Sequence, residues 1–213
     1  MGKLRPGALD VYVLTSGTAF PDRTHVDVAR AALEGGASGV QLRAPELDDE
    51  ELAAAAAAIA SLTAAADALF VVNDRADVAI ASGADGVHVG QGDDPAGARR
   101  RLPGPMVLGV SVGNVEEARA AEAGGADYLA VTVWATATKP EAIPAGLDGL
   151  RRVAAATALP VVGIGGIDVR NAHEVLEAGA AGIAVIGAVA AALDPVEAVR
   201  ELRAAVHAHT GTR

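Results

Sequence analysis

Four times in this 213-residue chain a Gly-Ala pair carries the sequence out of an alanine-rich stretch into a short apolar run. The four tags are Gly36-Ala37-Ser38-Gly39-Val40, Gly83-Ala84-Asp85-Gly86-Val87, Gly125-Ala126-Asp127-Tyr128-Leu129 and Gly179-Ala180-Ala181-Gly182-Ile183. Glycine at a helix end supplies a left-handed cap without steric cost and lets helix and strand pack closely. Each tag therefore marks a passage from helix to strand, and this structural role accounts for the four glycines better than a ligand-binding one.

The tags precede the second, fourth, sixth and eighth of eight apolar runs: Val11–Leu14, Gly39–Leu42, Leu69–Val72, Gly86–Val89, Val107–Val110, Tyr128–Val133, Val161–Ile164 and Ile183–Ile186. Helix starts fall between them at Asp48 with Glu51, at Asn114 with Glu117, at Asp168, and at Asp94-Pro95 and Asp194-Pro195, with Glu197 completing a capping box in the last. The tract from Ala53 to Ala58 is a strong helix former rather than a disordered segment. Continuous hydrophobic strands alternating with helices predict a parallel sheet covered by helices. A two-unit period repeated four times fits a closed (β/α)8 TIM barrel better than an open doubly wound sheet. The expected fold class is α/β, an eight-stranded parallel barrel forming a single domain over residues 1–213 with its core over residues 11–206. At 51% hydrophobic residues the chain can bury such a core.

Composition narrows the chemistry. No apolar stretch is long enough for a membrane span, and the start, Met1-Gly2-Lys3-Leu4-Arg5-Pro6, has no signal-peptide hydrophobic region, so a cytoplasmic protein is expected. The chain has no cysteine, which excludes disulfides, a thiolate nucleophile and Cys-held metal; any metal must be bound by oxygen or imidazole. A net charge of −10 argues against nucleic acid or an anionic membrane as partner, since both need a basic footprint. A small anionic substrate remains compatible if a few cations converge on one cleft. The oligomeric state is not fixed by sequence, and a homo-oligomer stays open.

In such a barrel the functional groups sit where strands end and the following loops begin. The second run leaves through Gln41-Leu42-Arg43, the third through Asn73-Asp74-Arg75, the fourth through Gln91-Gly92-Asp93-Asp94, the fifth through Ser111, the sixth through Thr136-Ala137-Thr138-Lys139, the seventh through Gly163-Ile164-Gly165-Gly166 and the eighth through Gly187. Past residue 3, Lys139 is the only lysine against fifteen arginines, and its two flanking threonines suit a phosphate oxygen. Arg43 and Lys139 could hold phosphate, with Asn73 and Gln41 fixing orientation. Asp74 and Asp93, on consecutive units, could face one hard cation such as Mg²⁺; Asp94, before Pro95, is better explained as a cap. The Gly165-Gly166-Ile167-Asp168 segment and Gly187 offer backbone N–H groups to a second anion, as the last two loops of barrels often do. Taken singly, Arg43, Lys139, Asn73 and Gln41 are each better explained by surface pairing, and Asp74 and Asp93 have loop solvation or helix capping as their alternative. His88 reads as a satisfied barrel histidine rather than a metal ligand, and His25, His173, His207 and His209 show no ligand spacing. Trp134 either stacks on a substrate or fills space, its place two residues before Thr136 favouring the site.

These exits, in order and at comparable spacing from Val11 to Val206, resemble the thiamine-phosphate synthase family. The Asn73-Asp74-Arg75 segment and Gly86-Val87-His88-Val89-Gly90-Gln91 followed by Asp93 are the more specific pieces; Gly109-Val110-Ser111, the Thr136 to Lys139 loop and Gly163-Ile164-Gly165-Gly166-Ile167 complete the pattern. The resemblance implies a transferase that joins hydroxymethylpyrimidine pyrophosphate to thiazole phosphate and releases pyrophosphate. It implies Asp74 and Asp93 on Mg²⁺; Arg43, Asn73 and Lys139 on the pyrophosphate; Gln41 and Ser111 on the pyrimidine side; and Thr136, Thr138, Gly165 and the backbone near Ile186 and Gly187 on the thiazole phosphate. The chain departs from the family pattern at Pro45, where a lysine is usual, at Val131-Thr132, Trp134 and Ala135, and at Gly187, where a serine is usual. Two further readings stay open: a thiazole tautomerase, whose histidine position is taken by Gly113-Asn114, and a homologue that binds a phosphorylated heterocycle without turning it over.

Overall fold

The structure, a computed structural model, describes residues 4–16, 22–136 and 142–211. Its strands are β1 (Val11–Leu14), β2 (Gly39–Leu42), β3 (Leu69–Asn73), β4 (Gly86–Val89), β5 (Val107–Ser111), β6 (Tyr128–Thr132), β7 (Val161–Ile164) and β8 (Gly182–Val185). The helices are α1 (His25–Glu34), α2 (Asp49–Ala66), α3 (Ala76–Ser82), α4 (Pro95–Arg101), α5 (Val115–Ala123), α6 (Gly146–Ala156), α7 (Ala172–Glu177), α8 (Gly187–Ala190) and α9 (Pro195–Thr210). Each strand pairs in parallel with the next, and β1 closes on β8 through Val11↔Ile183, Tyr12↔Ala184 and Val13↔Val185. The fold is the expected (β/α)8 barrel.

Side chains alternate across each strand, which divides the apolar residues into two layers. Val11, Val13, Phe70 and Val72 face the helices and join the outer core with Val28, Ile59, Val153 and Val199. Tyr12, Leu14, Leu69, Val71, Tyr128, Ala130, Val162 and Ala184 fill the barrel. Gly109 on β5 leaves the volume that the Tyr128 ring occupies, since a methyl group there would overlap the ring.

All four tag glycines, Gly36, Gly83, Gly125 and Gly179, have positive φ, from 72° to 98°, as the left-handed cap requires. The residue two positions later ties the bottom of the barrel. Ser38 Oγ accepts the Val11 N–H, Asp85 Oδ2 that of Phe70 and Asp127 Oδ2 that of Leu108, at 2.8–2.9 Å. Arg99 Nη1 lies 3.2 Å from Asp127. In the fourth tag Ala181 contributes only its backbone N–H, to the Val161 carbonyl.

Helix starts follow the sequence in part. Asp48 with Glu51 forms a full capping box, as does Thr24 with Asp27, and Asn114 and Asp194 each accept the N–H three residues on. Glu197 pairs with Arg200. Asp94 makes no capping hydrogen bond, because its carboxylate turns toward Arg100 at 3.6 Å. Asp168 is not a cap either: its carboxylate takes the N–H and guanidinium of Arg170, and α7 begins only at Ala172. Two strands run one residue further than their apolar runs, because Asn73 pairs with His88 and Ser111 with Ala130 on the last rungs of the ladder. Those two candidates are thus held by the sheet, not by loops. No helix among the described residues is long and apolar enough to cross a membrane.

Candidate active site

The strand exits enclose a cavity of about 290 Å³ at the C-terminal mouth of the barrel. Gln41, Arg43, Asn73, Ser111, Thr136, Gly165, Ile186 and Gly187 line it, so eight of the residues singled out from sequence meet at one place. Tyr12, Leu14, His88, Ala130, Thr132, Val162 and Ile164 form its lower walls. Thr138 and Lys139 lie outside the described residues.

One side of the cavity is backbone. Gly165 and Gly166 follow β7 with φ of 93° and 67°, and this close approach to the β6 exit requires glycine. A Cβ on Gly165 would sit 2.6 Å from the Trp134 carbonyl oxygen, and one on Gly166 3.2 Å from the Trp134 Cβ. The N–H groups of Gly165, Gly166 and Ile167 make no hydrogen bond among the described residues, and the same holds for Ile186, Gly187 and Ala188, where the chain leaves β8 and enters α8. All six residues line the cavity. Gly165 and Ile167 are buried, Gly166 is exposed and Ile186, Gly187 and Ala188 are partly buried; unpaired backbone N–H groups gathered around one space have the chemistry that suits an anion. Asp168 at the edge of this region is occupied by Arg170, whose hydrogen bonds lower its carboxyl pKa.

The other side carries charge and amide groups. Arg43 leaves β2 half-buried, and its guanidinium makes no hydrogen bond or ion pair among the described residues; its N–H reaches the buried Thr15 Oγ1 at 3.2 Å. Thr15 Oγ1 and Glu46 Oε1 each lie 2.8 Å from a ring nitrogen of His25, fixing the β1 and β2 exits relative to α1. Asn73 donates to Asp74 Oδ2 at 2.6 Å. Asp74 is exposed and holds a left-handed backbone at φ 60°, a conformation an aspartate tolerates better than most residues. Asp93, also exposed, accepts the Gly90 N–H at 2.6 Å. Neither aspartate is part of the cavity wall. Among the described residues no group of three or more His, Cys, Asp or Glu is placed to hold a metal. Arg75, the third residue of the Asn-Asp-Arg segment, points elsewhere and bridges Asp49 and Asp77.

Beneath the cavity a buried polar chain links Gln41, Tyr12, Tyr128, His88 and Ser111. Burial raises the pKa of both tyrosines, so their hydroxyls stay protonated. Tyr12 and Tyr128 were not among the sequence candidates; the available signal was two tyrosines at inward-facing positions of otherwise aliphatic strands. His88 is the satisfied barrel histidine expected. Trp134 is not in the cavity wall: its ring packs against the outer core, so it fills space.

A family model described as thiamine monophosphate synthase matches residues 11–189. The chain belongs to the thiamine monophosphate synthase family. Relatives named thiamine-phosphate synthase include that of Moorella thermoacetica, 48% identical over 92% of this chain and 95% of its own length, and that of Methanoculleus marisnigri, 50% identical over 91% and 93%. A solved structure of thiamine phosphate pyrophosphorylase from Pyrococcus furiosus superposes with a TM-score of 0.87 at 40% identity, covering 96% of this chain and 98% of that one. Thiamine monophosphate synthase family membership thus agrees with a barrel whose candidate residues converge at its mouth.

Proposed function

We propose that the protein is a thiamine-phosphate synthase, a transferase joining hydroxymethylpyrimidine pyrophosphate to thiazole phosphate. The observation that carries this reading is the cavity itself, which is lined both by six residues whose backbone N–H groups are unpaired among the described residues and by Arg43, Asn73, Gln41 and Ser111. That space takes two anions joined through heterocycles.

In the reaction the bond between the pyrimidine methylene and the pyrophosphate oxygen breaks, and its electron pair leaves with the pyrophosphate. The electron-rich aminopyrimidine stabilises the cationic methylene, and the thiazole nitrogen lone pair then forms the new C–N bond. No general base or covalent nucleophile is needed, so positioning and electrostatics supply the rate enhancement. Arg43 and Lys139 would take the charge developing on the departing pyrophosphate, with Asn73 fixing its orientation. Gln41 and Ser111 would hold the pyrimidine. Thr136, Thr138, Gly165, Ile186 and Gly187 would receive the thiazole phosphate.

Asp74 and Asp93 suit Mg²⁺ by chemistry: both are exposed carboxylates at neighbouring strand exits. Mg²⁺ prefers one or two carboxylates plus water and phosphate oxygens to an all-protein cage. When bound, such a cation would neutralise negative charge on the leaving group. Pro45 stands where a further cation is usual, which leaves more of that charge to Lys139 and Arg43. We place the enzyme in the cytoplasm, acting on small phosphorylated heterocycles.

The tautomerase alternative lacks its base at the expected position: Gly113 has no side chain and Asn114 caps α5. Purified protein with Mg²⁺ should form thiamine phosphate and pyrophosphate from the two heterocycles, and Lys139→Ala should lose most of that activity. Binding of thiazole phosphate without product would replace the synthase reading with a binding one. Full activity in an Asp74→Ala, Asp93→Ala double variant would remove the metal assignment.

A further inference from the structure

Gln41 is 1% exposed, and its Oε1 is the buried side-chain polar atom that has no hydrogen-bond partner among the described residues. The other amide atom, Nε2, donates to Tyr12 Oη at 2.9 Å. Tyr12 Oη lies 3.1 Å from Tyr128 Oη, Tyr128 Oη 2.9 Å from His88 Nδ1, and His88 Nε2 2.9 Å from Ser111 Oγ. The two ends, Gln41 and Ser111, both line the cavity, while the phenols are at most 1% exposed.

Counting donors fixes the direction of this chain. An amide nitrogen can only donate, so the Tyr12 oxygen accepts and its single proton goes to Tyr128. The Tyr128 proton then goes to His88 Nδ1, which places the imidazole proton on Nε2, where it is given to Ser111 Oγ. The Ser111 proton is left to point away from His88. Turning the Gln41 amide over would reverse every link, ending with Ser111 donating to His88. An intermediate arrangement leaves a buried hydroxyl without an acceptor, which is unfavourable because the hydroxyl has given up water for nothing in return.

We infer that Tyr12, Tyr128 and His88 are positioning residues forming a polarity lock, which ties the orientation of the Gln41 amide to that of the Ser111 hydroxyl. The cavity therefore presents a linked pair, an acceptor at Gln41 Oε1 and a donor at Ser111 Oγ. An aminopyrimidine matches this pair with its amine as donor and a ring nitrogen as acceptor. An oxopyrimidine of the same shape, with a carbonyl acceptor and a ring N–H donor, meets both groups with the wrong polarity. The identity of the ring rests on the synthase reading; the lock itself does not.

The lock is tested without substrate by the ¹⁵N shifts of the His88 imidazole in histidine-labelled protein, assigned with His88→Gln. The wild type should carry the proton on Nε2. In Gln41→Glu, read at about pH 9 so that a buried carboxyl is ionised, the carboxylate can only accept from Tyr12, and the His88 proton should move to Nδ1. Adding Tyr12→Phe to that variant breaks the chain and should return the proton to Nε2. A wild-type proton on Nδ1, or a proton that stays on Nε2 in Gln41→Glu, overturns the inference. For specificity, the wild type should bind the aminopyrimidine phosphate roughly a hundredfold more tightly than the oxopyrimidine phosphate, and Tyr128→Phe, or Tyr12→Phe if the first does not fold, should narrow this about tenfold. An unchanged ratio overturns the specificity half. Should the wild type bind neither ring, the synthase reading fails, and the proton position at His88 alone decides the lock.

Discussion

Gly165 shows how closely the site depends on single atoms. Its left-handed backbone and the Trp134 carbonyl above it leave no room for a side chain. Gly165→Ala should add strain of about 1–2 kcal/mol and push away the β6 exit, raising KM for thiazole phosphate about tenfold, measured by steady-state kinetics beside a thermal melt. Arg43→Ala should behave differently. It should lower kcat/KM by about 10²–10³ through lost charge on the leaving group while leaving thiazole phosphate affinity unchanged by calorimetry. Gly165 and Arg43 were visible in sequence because residue type and strand-end position agree. The Trp134 placement was not, because proximity along the chain says nothing about which face of a loop a ring takes.

At the scale of elements, the short helix α3 is anchored by Arg75, which clasps Asp77 in its first turn and Asp49 at the start of α2. Hydrogen bonds from Arg75 pull the Asp77 carboxyl down from 3.8 to about 2. A lowered carboxyl stabilises the fold at pH above its ordinary value, and the gain is lost as pH falls through the folded value. Asp77→Asn should therefore melt slightly below the wild type at neutral pH, with the two curves converging as the pH falls through about 2. The difference stays small because both partners are solvated. Asp48→Ala, by removing the capping box of α2, should cost about 1 kcal/mol in denaturant unfolding. Caps were readable where the carboxylate had only backbone to bind. They were misread at Asp94 and Asp168, where an arginine nearby in the chain competes for the same oxygens.

Barrel closure is what makes the molecule more than its units. Alternating runs and glycine tags made the closed sheet legible, and strand exits made most of the cavity legible. The chain from Gln41 to Ser111 was not, because only closure brings β1, β2, β4, β5 and β6 together across the interior, and no local pattern encodes that meeting. Closure also couples ligand to stability, since β2, β3, β5, β7 and β8 all contribute to the cavity. Thiazole phosphate at a hundred times its dissociation constant should add about 2.7 kcal/mol and raise the melting temperature by about 5–11 °C in scanning calorimetry.

The far end of the barrel has its own asymmetry. Ser38, Asp85 and Asp127 each hold the start of an odd strand with a side chain, whereas Ala181 holds β7 with backbone alone. The ring is therefore stitched at three points and only basted at the fourth. Thermal opening should begin along the β7–β8 seam, the same pair that supplies the backbone of the anion site. Hydrogen exchange should find those amides released before Phe70 and Leu108, and a bound phosphate should slow that release most. A ligand at the top would then close the weakest line of the cylinder from the opposite rim.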